Sequence, residues 1–512
     1  MHESYWRRER QAAKFPALKR DLETEVVIVG GGITGLTTGW LLQRRGINCV
    51  IVESARIGSG TSGSTSAHVT EVLDKGYPEL IQEYGQDAAY LVAAAYRTAL
   101  ASITAFASSY DAGYAPLDAY RFTENEADID SLKQEAEAAR KLGIRCELVH
   151  DLPLPRAVAG VRFPNQARFH PIKYLEAMAQ EFIEGGGQIF EDSQALKWDQ
   201  SDRVTLYLEK GQVKARYLVL ATHTPIRFNL LQTQLGPYRS YLVALTLQEE
   251  FQDGLYWDNA DPYHYLRLIE HGGRQLLLVG GEDHKTGQET NPESRYAALE
   301  KYARERYSLG EAVLRWSDEL FEPADGLPYI GASPFSQQVL VATGFSGVGL
   351  TGGTVAALTL ANLVAERDNP WAEVFSPSRI KPIVAAKRFI SENADVAYHW
   401  VADRFAKSEL SDPDQLQIGE GAVIRLHGNQ VAIYRDVDGK LLARSPVCTH
   451  LGCIVGWNSA EKSWDCPCHG GRFHPDGQVL SGPPVQPLGA VDLDSLRGPP
   501  IHASGGKTGK CE

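Results

Sequence analysis

Long hydrophobic runs are missing from this 512-residue chain. None approaches the roughly 18 consecutive apolar residues that a membrane-spanning helix needs, so no span is expected. Excess positive charge is missing too. Lys and Arg total 51 against 64 Asp and Glu, a net charge of −13, which disfavours nucleic acid or an anionic membrane as partner. Cysteine is sparse: of seven, four fall between Cys448 and Cys468, while Cys49, Cys146 and Cys511 are scattered, which excludes a secreted disulfide framework. The start carries Arg7-Arg8, but Glu9, Lys14, Pro16 and Lys19 interrupt any apolar export region behind it, and a cytoplasmic location is expected. What is there is ordinary in bulk. With 43% hydrophobic and 22% charged residues the chain reads as folded, and its length suits about two to four domains.

The densest chemistry lies near the C-terminal end. Cys448-Thr449-His450-Leu451-Gly452-Cys453 and Cys466-Pro467-Cys468-His469-Gly470-Gly471 each offer a thiolate and an imidazole, in Cys-x-His and Cys-x-x-His boxes. Two Cys and two His suit either a tetrahedral zinc or a Rieske [2Fe–2S] centre, with two Cys on one iron and two His on the other. Zinc fingers usually pair Cys with Cys and then His with His; here each box mixes the ligands, and Cys-x-His is tighter than the finger pattern. The boxes, with Cys453 and Cys468, resemble the Rieske proteins of cytochrome bc complexes. That resemblance implies Cys448 and Cys466 on one iron, His450 and His469 on the other, and a Cys453–Cys468 disulfide tying the loops together over the cluster. Many high-potential members of that family carry a Ser two residues after the last His and a Tyr two further on, whose hydroxyls donate to the cluster sulfur and the Cys ligand. Gly471 and Phe473 stand at those positions here. A potential in the lower half of the Rieske span, about −150 to +300 mV, is therefore expected.

Near the other end, Val26-Val27-Ile28-Val29 reads as a strand, followed at once by Gly30-Gly31-Gly32-Ile33-Thr34-Gly35 and a helical pattern through Leu36, Trp40, Leu41 and Leu42. A second apolar run from Cys49 to Val52 ends at Glu53-Ser54. Strand, G-x-G-x-x-G, helix, strand and acid make up the Rossmann fingerprint. Gly30 permits the turn, Gly32 lets backbone approach a pyrophosphate, Gly35 allows close helix–strand packing, and Glu53 takes ribose hydroxyls. To this point FAD and NAD both fit. The loop from Gly58 to His68, with Gly60, Thr61 and Ser62, has the small residues that let a large flat cofactor lie on the backbone; a flexible Ser/Gly linker is the plain alternative. His68 has two readings, a place near the flavin or an ordinary satisfied loop histidine, and the second is favoured. The loop resembles the one after the second strand in the D-amino-acid oxidase and glycine oxidase superfamily, where it wraps the FAD pyrophosphate. Tyr217-Leu218-Val219-Leu220 with Ala221-Thr222 resembles that superfamily's returning strand. Gly344-Phe345-Ser346-Gly347-Val348-Gly349-Leu350-Thr351 resembles its C-terminal flavin motif; read as an independent NAD site, it lacks a following strand-end acid. Together the motifs imply noncovalent FAD.

Residues 237–281 read as strands, and alternation puts Tyr263, Tyr265 and Arg267 on one face. In glycine-oxidase-like enzymes this sheet roofs the flavin, and a Tyr with an Arg can hold a substrate carboxylate. Tyr265 and Arg267 are the candidate pair on that resemblance, with Tyr241 and His264 as further candidates; an Arg salt-bridged on the sheet surface is the alternative. The expected fold class is α/β plus all-β: a Rossmann-type FAD-binding domain with an antiparallel-sheet substrate domain, then a Rieske β-domain. The boundaries are a leader, 1–24; a flavin-dependent oxidoreductase, 25–376; a helical linker, 377–411; the Rieske domain, 412–497; and a disordered tail, 498–512. Within the oxidoreductase, FAD-binding segments (about 25–75, 170–225 and 325–370) interleave with substrate-domain segments (about 76–169 and 226–324).

A flavin takes two electrons as a hydride, whereas a Rieske cluster carries one. The superfamily resemblance implies oxidation of a C–N bond in a small amine or amino acid, with electrons leaving singly through the cluster to an unidentified acceptor. Two alternatives stay open: reversed current, with the cluster feeding a flavin reductase or monooxygenase, and a redox sensor without turnover. A Rieske oxygenase would need a further iron on two His and a carboxylate, and no compact set of that kind stands out.

Overall fold

In a computed structural model the chain is described over residues 3–12, 14–227, 229–379, 382–405, 410 and 412–493, with backbone alone for 382–387. The strand Leu22–Val29 sits near the centre of an eight-stranded sheet, parallel to Gly211–Leu220 on one side and Cys49–Val52 on the other. Val26, Val27 and Ile28 have no exposure, because helices and loops cover both faces; that is why the run is continuously apolar rather than alternating. Helices Ile33–Gln43 and Gly349–Val364 cross so closely that a Cβ on Gly353 would lie 2.7 Å from Thr34 Oγ1. Helix Pro171–Glu184 opens on His170, whose Nδ1 accepts from the Lys173 amide, and takes Pro in its first turn, where no amide is needed.

The second sheet has nine strands. Leu309–Pro323, Leu235–Leu247, Arg274–Lys285 and His264–His271 run antiparallel, and Leu255–Asp258 joins them to Ala115–Thr123 and Ala159–Arg168. Helix Glu293–Arg304 covers one face, where Leu266 and Leu268 pack with Tyr241, Tyr256, Tyr296 and Tyr302. The other face carries Tyr265, whose ring lies across Gly280; a Cβ there would be 2.2 Å from it.

Two expected boundary pieces are built into the fold. The stretch read as a leader forms a short helix, Tyr5–Arg8, with Tyr5 and Trp6 buried against the oxidoreductase domain. The linker contains helix Pro382–Phe405, which straps the molecule. Its Glu392 and Asp395 each bind Lys285 at 3.0 Å, and its Trp400 and Arg404 donate to the carbonyls of Leu451 and Gly452. Beyond it, a three-stranded sheet (Gly421–Leu426, Asn429–Arg435, Leu441–Arg444) and a four-stranded one (Gly456–Asn458, Ser463–Asp465, Arg472–Phe473, Val479–Ser481) form the all-β unit. The expected tail, 498–512, lies outside the described residues. Among the described residues one helix, Gln86–Ala107, is long and apolar enough to cross a membrane by length and composition; its Val92, Ala95, Tyr96 and Ala99 are buried in the main core.

Candidate active site and metal centre

A cavity of about 1130 Å³ runs from the Gly30–Gly35 turn to the second sheet. Gly30 has φ +111°, and a Cβ there would meet the Ala221 carbonyl oxygen at 2.3 Å, so no other residue fits the turn. Glu53 Oε2 accepts from the Gly31 amide at 2.7 Å, and its Oε1 accepts from Ala55 N and Ser54 Oγ. On the cavity wall the structure brings together Gly30, Gly32, Ile33 and Thr34 of the first motif with Glu53 and Ser54. Gly60, Thr61 and Ser62 of the loop join them, as do Ala221 and Thr222 of the returning strand. Phe345, Gly347, Gly349 and Leu350 complete that wall. Gly35, Gly344 and Thr351 stand behind it.

The Gly58–His68 loop is held from outside. Ser4 and Trp6 donate to the carbonyls of Gly63 and Thr65, Arg7 to that of Gly60, and Trp316 to that of Ser64. Arg267 donates to Ser66 and Ala67. These donors occupy the loop's carbonyls, and Ser62 Oγ reaches across to accept from the Ile33 amide at the helix start. Arg7 Nε, His68 Nε2 and Thr224 Oγ1 on the cavity wall are buried without a partner among the described residues, which suits a polar cofactor. Burial pulls His68 down to about 3, so its ring is neutral.

Arg267 is thereby corrected. It shares a face with Tyr265 but does not line the cavity; the residue is 1% exposed and its guanidinium spends its donors on the carbonyls of Ser66, Ala67 and Leu268. Tyr265 does line the cavity, with its hydroxyl 3.1 Å from Ser240 Oγ and its ring edge-on to His68. Tyr241 and His264 are engaged elsewhere, Tyr241 with His284 and His264 with Asp258. The cation at this end is Arg121, which sequence reasoning passed over because it sits mid-strand with no motif around it. It lines the cavity beside Trp257 and Tyr263, with Nε fixed by Asn259 Oδ1 at 2.8 Å. Asp74, Asp318, Glu319 and Glu322 also face the cavity, and burial pushes Asp318 and Glu319 up to about 7.

In the all-β unit, two loop tips converge. Cys448 N donates to the Cys453 carbonyl and Cys466 N to that of Gly471, each at 2.8 Å, closing each box on itself. Cys448 and Cys466 are buried, and a hydrogen bond between their sulfurs holds the Cys448 thiol below its ordinary value while raising that of Cys466. The His450 and His469 rings lie 5.0 Å apart, and burial pulls both down to about 4, leaving neutral imidazoles. Cys453 and Cys468 form a disulfide, and all three sulfurs of Cys453, Cys466 and Cys468 lie within 4.8 Å of one another, so the bridge sits against a ligand loop. Two thiols and two neutral imidazoles on adjoining loops fit the Rieske donor set.

Residues 25–363 match the family described as FAD dependent oxidoreductase. The chain belongs to that family. This FAD dependent oxidoreductase also matches the Rieske [2Fe-2S] domain over residues 407–495. The two matches decide for FAD over NAD and for [2Fe–2S] over zinc. Among relatives, YhfW of Bacillus subtilis (strain 168), named as a Rieske 2Fe-2S iron-sulfur protein, is 35% identical over 96% of this chain and 98% of its own. Gamma-glutamylputrescine oxidoreductase of Escherichia coli (strain K12) is 25% identical over 41% of this chain and 51% of its own. Glycine oxidase from Geobacillus kaustophilus has a similar fold, with a TM-score of 0.55, 18% identity, and coverage of 70% of this chain and 99% of that one.

Proposed function

We propose that this FAD- and [2Fe–2S]-dependent oxidoreductase oxidises a C–N bond of a small amine or amino acid in the cytoplasm and passes the electrons singly to an external acceptor. The observation that carries this reading is a shared wall: the cavity that begins at Gly30 and Glu53 also has Arg472, Ser481 and Pro484 of the Rieske domain on its surface. When bound, FAD supplies acceptance of a hydride and the cluster supplies one-electron exchange.

The chain's own residues supply placement and field. Tyr265, Tyr263 and Trp257 form an aromatic wall for the substrate carbon skeleton, and Ser240 fixes the Tyr265 hydroxyl. Arg121, held by Asn259 and paired through Nη1 with Glu135 at 3.4 Å, is the group placed to receive a carboxylate with its remaining donors. Asp74 and Glu322 set carboxyl oxygens on the same cavity, acceptors that suit the amine end, and burial pushes the pKa of both up. Fixing the substrate between rigid walls contributes through orientation. Gamma-glutamylputrescine and glycine, in the names of the relatives, are both amines, which supports the substrate class.

Anaerobic stopped-flow mixing with a panel of amines, amino acids and N-methylated compounds tests the reading. The expected record is bleaching of flavin absorbance followed by reduction of the cluster. Failure of every compound to bleach the flavin, with the cluster reduced first by an added reductant, would establish the reverse current instead.

A further inference from the structure

The Rieske domain touches the oxidoreductase domain through one of its own cluster ligands. His450 Nε2 lies 3.0 Å from Oε1 of Gln232, a residue 218 positions earlier in the chain and 4% exposed. Gln232 belongs to the short turn Leu230–Gln234, which Asn229 opens, and the same Oε1 accepts from the Asn229 amide at 3.0 Å. Its amide nitrogen donates to the carbonyls of Pro225 and Arg227, each at 2.7 Å. The side-chain orientation is thus over-determined. Rotating the amide by 180° would set its NH2 against the Asn229 N–H and its oxygen against two carbonyls, replacing three good contacts by repulsive ones. The oxygen therefore faces His450, and His450 must be the donor through Nε2–H.

We propose that Gln232 is a positioning residue that latches the Rieske domain onto the oxidoreductase domain through His450. The latch does not act alone. The Arg227 amide donates to the Pro483 carbonyl at 2.9 Å, and the Tyr296 hydroxyl donates to Glu461, so the turn carrying Gln232 meets the Rieske domain beside other buried contacts. Helix Pro382–Phe405 closes the same junction: Asn393 donates to the Thr233 carbonyl next to Gln232, and Arg404 to the Gly452 carbonyl next to His450's loop. The two domains are consequently held as one unit with the cluster loop seated, rather than joined by an arm that swings. This holds whatever the substrate, because it depends on the domains and not on the reaction.

The test compares Gln232→Leu with Gln232→Glu in cofactor-loaded full-length protein. Both lose the NH2 that binds Pro225 and Arg227; only the leucine variant loses the oxygen that faces His450. Hydrogen exchange in segments 225–234 and 446–453, and the electron paramagnetic resonance of the reduced cluster, are the readouts. In Gln232→Leu, exchange in segment 446–453 should be about tenfold faster than in wild type and the resonance g-values should shift. Gln232→Glu keeps the oxygen at His450, and its buried carboxyl, held neutral by the two carbonyls, donates its O–H to one of them, so both readouts should lie between wild type and Gln232→Leu. Identical behaviour of the two variants, or of Gln232→Leu and wild type, would overturn the latch. Should neither variant load its cofactors, small-angle scattering of wild-type holoprotein decides. A profile fitted by the docked arrangement alone supports the latch; one that requires a detached Rieske domain overturns it.

Discussion

A guanidinium as deeply buried as that of Arg267 has few options. Burial pulls its pKa down to about 9, and it keeps its charge by donating to three backbone carbonyls. Two of these belong to the loop that lines the cofactor cavity, so the side chain braces the cavity wall from behind and does not line the cavity. Arg267→Met keeps much of the stem but strands the Ser66 and Ala67 carbonyls, at about 1–3 kcal/mol for each unmet group. FAD titrated into the apoprotein should bind roughly ten- to a hundredfold more weakly, while KM at saturating FAD stays near wild type. A substrate clamp would show the opposite pattern, with KM raised and FAD affinity untouched. Alternation correctly put Arg267 on the Tyr265 face, but two residues along a strand is roughly 7 Å. That distance carries Arg267 past the cavity, and no pattern of polar and apolar residues reports it.

At the scale of elements, the second cluster loop shows why a residue type can be dictated twice. Gly471 supplies no hydroxyl to the cluster, and a Cβ there would lie 3.3 Å from Cys448 Sγ and 3.1 Å from Pro484 Cδ, so even a small side chain crowds a ligand sulfur. Phe473, fully buried, supplies no hydroxyl either. A redox titration of the wild-type protein should place the midpoint in the lower half of the span from about −150 to +300 mV. Gly471→Ser, where the loop accommodates it, should raise the midpoint. A donor worth about 1–2 kcal/mol more to the reduced cluster corresponds to roughly 40–90 mV for one electron. A wild-type midpoint near the upper limit would contradict the argument. The elements that carry motifs were legible because local geometry demands their residues: Gly30 for its turn, the mixed Cys and His boxes for their metal. The Tyr5–Arg8 helix was not. Its buried Tyr5 and Trp6 sit in a run dominated by charge, and only long-range bonds such as that from Trp6 to the Thr65 carbonyl fix it. Gln232 escaped for the same reason, since its partner lies in another domain.

For the whole molecule, two kinds of electrostatics separate. Contacts that hold the Rieske domain in place are short, partly buried hydrogen bonds, such as His450 to Gln232 and Tyr296 to Glu461, which salt screens little. Encounter with an outside acceptor instead feels the net charge of −13 across the surface. The Debye length falls from about 30 Å at 0.01 M to about 10 Å at 0.1 M ionic strength, so that field is largely screened over this range. Reoxidation of the substrate-reduced protein by a cationic one-electron acceptor such as hexaammineruthenium(III) should therefore slow severalfold as salt rises, while reoxidation by ferricyanide should quicken. On the proposed direction of current, the internal flavin-to-cluster step, followed by stopped flow in the same buffers, should hold its rate, because nothing in it has to diffuse. An internal rate that tracked salt as the external ones do would mean that the domains part and meet again during each turnover, and a fixed seat for the cluster loop would then be untenable.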